Sequence, residues 1–275
     1  MSQVNLPRYV EIETSRYCNR RCSWCPNHLY KERNSQELMD WSTLQSVIKS
    51  LSRHDYEGWL AFHNYNEPLA NPRIIREVAS ARQQLAHAAL TIYTNGDYLT
   101  DDLFRELTIA GVAQMRITVY PHPLHNGETS HASLWQWLEK RPFLQGGRWN
   151  EVILRQGPAL VKDNRMALEI ISPDISRYYD RGGTLPALSI SREDRPCFIT
   201  SHSLSIDYRG DIKMCCNVVT HHSPHQQYLF GNVRECDAID VWNSPRFAAI
   251  RRAHRQSKWS DTPICATCRQ ETPQP

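Results

Sequence analysis

Cys18, Cys22 and Cys25 are spaced Cys-x3-Cys-x2-Cys in the stretch SRYCNRRCSWCPN, directly behind a short alternating segment, RYVEIE. The alternation over Tyr9–Glu13 reads as a strand, which puts the cysteines in the loop at its carboxyl end. Three thiolates in one tight loop can hold three irons of a cubane cluster and leave the fourth iron open. A closed tetrahedral zinc site would need a fourth ligand, and none lies nearby in the sequence. Three unrelated buried cysteines, or a zinc site completed from a distant segment, are the competing readings. With any of these a chain must surround such a loop with others, and that constrains the rest of the fold.

The segments that follow can do so. DWSTLQSVIKSL places Leu44, Val47, Ile48 and Leu51 at helical spacing behind a cap at Asp40. GWLAFH reads as a second strand. NPRIIREVASARQQL reads as a helix capped by Asn71, with Pro72 at its first position. ALTIYT is a third strand ending in the turn NGD. TDDLFRELTIAG is a helix opened by Thr100 and closed by Gly111. AQMRITVY is a fourth strand, EVILR a fifth, and HASLWQWLEK lies between them with helical character. Strand–helix alternation implies right-handed crossovers and a parallel sheet. Ligands in such folds sit at the carboxyl ends of the strands, so the cysteine loop, the NYNEPL loop and the TNGD turn converge on one end.

The pattern weakens over 156–195, where RGGTLP reads as a connection. Beyond Pro196 the texture changes to SLSIDYRGDIKMCC, a hairpin turning at Arg209-Gly210, then to DAIDVWNSPRFAAIRRAHRQ, helical on either side of Pro245. The basic run in this last stretch reads as a solvated helix face. His221, His222 and His225 read as solvent-exposed loop residues.

Bulk properties exclude several classes. With 40% hydrophobic and 22% charged residues in a chain of 275, the composition is that of an ordinary globular protein. A formal charge of +3 gives no argument for nucleic acid or a membrane surface. No apolar run approaches the ~18 residues of a membrane span, and MSQVNLPRYVEIET lacks the layout of a signal peptide. The expectation is a cytoplasmic protein, in which nine cysteines are better explained by metal binding or catalysis than by disulfides.

On these residues the chain resembles the radical S-adenosylmethionine (SAM) enzymes. The resemblance implies a partial (β/α)6 barrel and a 4Fe–4S cluster on Cys18, Cys22 and Cys25. The open iron of that cluster is chelated by SAM, and reduction by a flavodoxin or ferredoxin yields a 5′-deoxyadenosyl radical. It further implies that Trp24 packs beside the cofactor and that Asn66 and Glu67 occupy the segment binding the SAM amino group. Asn66 stands where the family usually has glycine. Thr94 or Asn95 would reach the SAM ribose or carboxylate.

Six cysteines remain. Cys197, Cys215 in GDIKMC, and Cys265 and Cys268 in CATC resemble the SPASM/twitch extension of the same family. The shorter twitch form, with one fully ligated auxiliary 4Fe–4S cluster, suits four ligands; a structural zinc is the alternative. This divides the chain into a barrel over 1–195 and a small α+β twitch domain over 196–275. Cys236 reads as an ordinary buried thiol, and Cys216 adjoins a ligand.

The resemblance extends to family members that oxidise a cyclitol alcohol to a ketone, passing an electron to the auxiliary cluster. In that reading Arg181 of DRGG lies at the substrate; otherwise it is a surface arginine on a turn. An epimerase acting on a sugar, with Cys216 or Cys236 returning a hydrogen, and a peptide-modifying maturase are the other enzymatic readings. No leader-binding region is evident before Tyr9, which favours a small-molecule substrate. An electron carrier or zinc-stabilised binding module would leave the barrel pattern and NYNEPL unexplained.

Overall fold

The computed structural model describes residues 4–30, 37–120, 136–144, 159–162, 166–171, 173, 178–189 and 195–268. Its strands are β1 (Tyr9–Ile12), β2 (Trp59–Phe62), β3 (Ala89–Thr94), β4 (Gln114–Thr118), β5 (Ala159–Lys162), β6 (Ala167–Ile171), β7 (Ser203–Ile206), β8 (Asp211–Lys213) and β9 (Leu229–Asn232). They form one sheet in the order β5-β6-β4-β3-β2-β1-β7-β8-β9. Six neighbours, β6-β4-β3-β2-β1-β7, are parallel; β5 on one edge and β8 and β9 on the other are antiparallel. This is the mixed α/β architecture with a parallel sheet that the sequence predicts. The fifth parallel strand is β6, in the region where the sequence pattern weakens. EVILR lies outside the described residues, and of HASLWQWLEK the described part is helical over 136–139.

Strand alternation divides the sheet into two unlike faces. Ile12, Phe62, Ile92, Met115 and Leu168 stand in one register row and are fully or almost fully buried. They pack under α1 (Trp41–Ser52), α2 (Ile74–Gln84) and α3 (Asp101–Ala110), which contribute Leu44, Val47, Ile48 and Leu51, then Ile74, Val78 and Ala81, then Leu107. The opposite face is polar. Glu11, Ser205 and Lys213 share one row across β1, β7 and β8, and Tyr93, Arg116 and Glu169 share another across β3, β4 and β6.

Local chemistry sets the helix ends with two departures from expectation. Thr100 caps α3 through a bond from the Leu103 N–H, and Gly111 closes it in the left-handed region at φ +100°. Asp40 occupies the cap position of α1 without a side-chain bond to the helix. Asn71 is not the cap of α2, which starts at Ile74; its amide is buried and bonds Thr14 Oγ1 and the Glu77 carboxylate instead. Arg82 on α2 donates to the carbonyls of Leu85, Ala86, Ala88 and Gly111, tying the ends of α2 and α3 together.

The C-terminal segment continues the same sheet. A short helix, α4 (Ile199–His202), leads into β7, which lies parallel to β1. The hairpin turn after β7 sits at Arg209-Gly210 as expected: Asp207 Oδ1 accepts from the Arg209 and Asp211 amides, and Gly210 adopts φ +90°. A side chain on Gly210 would meet Thr43 of α1 at 2.8 Å. Helices α5 (Ala238–Trp242) and α6 (Pro245–Arg255) flank Pro245, each opened by a side-chain cap, Asp237 and Ser244. On α6 the basic run is not wholly solvated. Arg251 is buried against Trp242 and Phe247, and His254 bonds Thr200 and Thr262.

Lys213 and Glu13 bolt this segment to the first strand. They pair at 2.8 Å with both side chains essentially out of solvent. Burial pulls the Lys213 pKa down, but Glu13 and Glu11 more than reverse this, so the ammonium stays charged. Lys213→Met strands a buried carboxylate and should destabilise the chain by about 3–5 kcal/mol. Replacing both partners, Glu13→Gln with Lys213→Met, should recover part of the loss. Urea unfolding of the three chains checks this.

Candidate active site

The three loops named from the sequence meet. Glu67 N–H donates to the Tyr17 carbonyl (2.8 Å), and Asn27 Nδ2 to the Tyr65 carbonyl (2.7 Å), joining the NYNEPL loop to the cysteine loop. Arg20 grips Asp97 with two bonds of 2.7 Å, and Asn19 adds a third, joining the cysteine loop to the TNGD turn. Glu67 closes the triangle. Its buried carboxylate accepts from Thr94 Oγ1 (2.5 Å), Asn95 N (2.8 Å) and Leu69 N (3.0 Å). Burial pushes the Glu67 pKa up to about 7, against these three donors, which pull it down.

Below the loops opens a cavity of about 730 Å³. Cys18, Cys22 and Cys25 line it together with Trp24, Asn66, Glu67, Thr94 and Asn95. Trp24 stacks with Tyr178 (5.3 Å, 5°) and with Tyr120 (6.1 Å, 27°). The polar atoms of Thr94 and Asn95 are engaged in bracing the loops: Thr94 Oγ1 also accepts from Gly96 N, and the Asn95 amide bonds Asp97 N and Asn19. Asn66 is the opposite case, for both atoms of its buried amide lack a hydrogen-bond partner among the described residues. Leaving a buried amide unpaired costs on the order of 1–3 kcal/mol, which a ligand pairing with it would relieve.

The cavity floor is the polar face of the sheet. Tyr9, Glu11, His63, Tyr93 and Arg116 all line it. Burial raises the Glu11 pKa to about 7 and lowers that of His63 to about 3, with Arg116 and Lys213 adding to the second shift. The imidazole is therefore neutral, and its 3.4 Å approach to Glu11 is not an ion pair. Its Nε2 also lies 2.7 Å from the Tyr9 hydroxyl. Arg116 pairs through Nε with Glu169 and lies over the Tyr93 ring at 4.5 Å. None of these floor residues was singled out in the sequence. The signal was the period-two placement of Tyr9 and Glu11, and of Tyr93 and Arg116, in strands whose alternate residues are apolar.

Arg181 and Cys216 border the same cavity. Arg181 is not a surface residue of its turn; its guanidinium donates to Asn217 Oδ1 (3.0 Å) and the Tyr179 hydroxyl (3.3 Å). Cys236 is turned away and donates to the Asn232 carbonyl. His225 is fully buried, contrary to expectation, while His221 and His222 are half-buried. His225 Nδ1 accepts from Val219 N (2.9 Å), which leaves Nε2 to donate to the Gly182 carbonyl (2.8 Å).

Of the second cysteine group, Cys215, Cys265 and Cys268 neighbour one another, and Asn217 joins Cys268 to Arg181. Cys197, Cys215, Cys265 and Cys268 are all buried, and none of the chain's nine cysteines forms a disulfide. Burial, and then Cys216, Cys265 and Cys268, push the Cys215 thiol upward, which places those sulfurs beside it. Cys197 N–H donates to the carbonyl of His254 (3.0 Å), whose ring Nε2 lies 3.8 Å from Cys265 Sγ. In the first group, burial raises Cys18 and Cys22 to about 12, with neighbouring thiolates adding to the shift. Buried thiols of this kind ionise when a metal displaces their protons.

Comparison with known proteins accounts for both groups. Residues 12–126 match the model of the radical SAM superfamily, and residues 197–269 match that of SPASM, an iron–sulfur cluster-binding domain. The chain belongs to the radical SAM superfamily. It is 24% identical over 260 residues to the S-adenosyl-L-methionine-dependent 2-deoxy-scyllo-inosamine dehydrogenase of Niallia circulans, covering 94% of this chain and 91% of the relative. It is 27% identical over 322 residues to the tungsten-containing aldehyde ferredoxin oxidoreductase cofactor-modifying protein of Pyrococcus furiosus, covering 95% and 87%. Among solved structures, BtrN in complex with AdoMet and 2-DOIA superimposes with a TM-score of 0.73 at 21% identity, over 98% of this chain and 95% of BtrN. The chain is thus a radical SAM enzyme whose cofactors are SAM and iron–sulfur clusters, and the zinc and electron-carrier readings fall away. Among the described residues no helix is long and apolar enough to cross a membrane.

Among the described residues no three metal-ligating side chains stand close enough together to hold an ion as they are; the fit to those cofactors lies in the donor chemistry. The first group offers three thiols to one cavity, and an unpaired buried amide stands beside them; the second offers four buried thiols. Glu67→Ala orphans the buried N–H groups of Asn95 and Leu69. It should destabilise the chain by about 2–4 kcal/mol and weaken SAM binding about tenfold or more. Thermal unfolding and SAM titration of the reconstituted enzyme measure the two effects.

Proposed function

We propose that the chain oxidises a secondary alcohol of an aminocyclitol or a similar small polyol to a ketone. The observation that carries this reading is the single cavity lined both by the three-cysteine loop and by Tyr9, Glu11, His63, Arg116 and Arg181. Such a floor offers hydroxyl and amine partners at several heights, as a polyhydroxylated ring requires, and its volume suits a cofactor with a small molecule beside it. Likeness over nearly the whole chain to a 2-deoxy-scyllo-inosamine dehydrogenase supports the same substrate class.

In this proposal Cys18, Cys22 and Cys25 hold the SAM cluster, while Cys197, Cys215, Cys265 and Cys268 hold one auxiliary 4Fe–4S cluster. Once bound, SAM and its cluster would supply, on reduction by a flavodoxin or ferredoxin, a radical able to take a hydrogen atom from the carbinol carbon, and the auxiliary cluster would supply the acceptor for the second electron. Asn66 presents its amide to SAM, and Trp24, stacked with Tyr178 and Tyr120, walls the cofactor. Arg181 donates to the reacting hydroxyl and favours loss of its proton to Glu11, whose carboxylate borders the same cavity. The loops above the floor keep water from the reacting carbon. The segment boundary near residue 195 separates the SAM half from the auxiliary half. A second reading, an epimerase, rests on Cys216, whose position at the cavity would let a thiol return a hydrogen atom.

The test is anaerobic turnover of reconstituted enzyme with aminocyclitols added singly. The expected result is a two-dalton mass loss in one candidate, matched by 5′-deoxyadenosine, from protein holding about eight irons per chain. Unchanged mass with deuterium gained from heavy water would establish the epimerase instead. Cys25→Ala should abolish SAM cleavage. Cys268→Ala should stop ketone formation, and normal turnover there would exclude the acceptor role. Arg181→Ala should lower conversion about tenfold or more, the loss of one charge-assisted bond, with iron content unchanged.

A further inference from the structure

The turn that carries Arg181 is fastened to the auxiliary-cluster segment at every point. Arg181, Gly182 and Gly183 follow one another at φ +53°, +68° and +88°, a left-handed run that a non-glycine residue enters only when held. The holders are Asp180, whose carboxylate accepts from Gly182 N (3.1 Å) and Thr267 Oγ1, and His225, which donates to Gly182 O. Thr267 lies between Cys265 and Cys268 in sequence. One further side chain touches both ends. Asn217 Oδ1 accepts from Arg181 and from the Tyr179 hydroxyl (3.1 Å), while its Nδ2 lies 3.4 Å from Cys268 Sγ. The amide has only one possible orientation, because a guanidinium can only donate and must face the oxygen. The N–H therefore points at sulfur.

We propose that Asn217 is a positioning residue that couples the two halves of the oxidation, anchoring Arg181 at the substrate and raising the reduction potential of the auxiliary cluster through its bond to Cys268. An N–H directed at a ligating thiolate stabilises the more electron-rich sulfur, and so favours the reduced cluster. A cluster that must accept an electron from the substrate needs that bias. The same amide fixes the arginine whose guanidinium stabilises the developing alkoxide while the proton passes to Glu11 in the same cavity, so one hydrogen-bonded bridge, Arg181, Asn217, Cys268, links the alkoxide to the cluster that takes the electron. This inference rests on the assignment of Cys268 as a ligand of an auxiliary iron–sulfur cluster.

Asn217→Asp separates the two roles. It keeps an acceptor for Arg181 and the Tyr179 hydroxyl, removes the N–H, and places a negative charge beside the sulfur. In a background with Cys18, Cys22 and Cys25 changed to Ala, only the auxiliary cluster contributes to the electron paramagnetic resonance signal. There the variant should retain its iron, and its midpoint potential should fall by at least the 59 mV of a tenfold change in a one-electron equilibrium. In the otherwise intact enzyme, the ketone formed per 5′-deoxyadenosine should fall as well. An unchanged potential with the cluster retained would overturn the inference. The parent supplies a second readout independent of any variant's folding. Its reduced auxiliary cluster should show an exchangeable proton coupling by electron–nuclear double resonance, lost in heavy water, and absence of that coupling would also overturn it. About four irons per chain in the parent, rather than eight, would instead remove the auxiliary cluster itself.

Discussion

Glu67 is the interaction on which the cavity's upper wall depends. A carboxylate almost wholly removed from water is costly unless it is hydrogen-bonded, and here two loops supply the donors, the Asn95 and Leu69 N–H groups and the Thr94 hydroxyl. Its own N–H reaches back to Tyr17 in the third loop. The cysteine loop contains no regular element apart from a short 3-10 turn at Pro26–Leu29, so its shape is set from outside, by Glu67, by Asn27 on the Tyr65 carbonyl and by Arg20 on Asp97. Three sulfurs presented to one cavity are thus a consequence of hydrogen bonds made by residues that never touch a metal.

The floor follows from a different constraint. A strand with one face on a helical layer shows apolar residues at every second position, and the intervening positions are free to be polar only if something solvates or pairs them. In β1 those positions are Tyr9 and Glu11, in β3 Tyr93, in β4 Arg116. They satisfy one another sideways across the sheet, Glu11 with Ser205 and Asn64, Arg116 with Glu169, Tyr9 with His63. The cavity is therefore lined by groups already held in place, and a substrate would meet an ordered surface.

This explains what the sequence made legible. Motifs confined to one loop could be read directly, because Cys-x3-Cys-x2-Cys and the Glu67-Pro68 segment carry their chemistry in adjacent residues. The cap at Thr100 depends on a local bond and was legible, and Asp40 holds its cap position though without a side-chain bond; only Asn71 failed, for a tertiary reason, since its amide is taken by Thr14 and Glu77. The polar floor was missed because each strand contributes one or two residues, and only the register brings them into a row. His225 was misread for the same reason. Its burial is caused by Gly182, 43 positions away in the chain, and nothing in HHSPH announces that partner. The strand β6 hid in a span whose flanking residues carry no periodicity.

Arg181 shows how far such long-range placement can matter. Its backbone sits in a conformation that L-residues rarely adopt, its turn is held by residues of the C-terminal cysteine segment, and its guanidinium shares an acceptor with Tyr179. A segment fastened only to the barrel could move independently of the second cysteine group; this one cannot, since Asp180, Thr267, His225 and Asn217 bind it there. The β7 strand and the Lys213–Glu13 pair in turn bind that group to β1. The distance between the two ends of the chemistry is therefore set by a continuous series of short, buried contacts, with no hinge between Arg181 and the sulfur of Cys268. For the proposed oxidation, in which a proton and an electron leave one carbinol group, rigidity along that line is the property the fold has to provide.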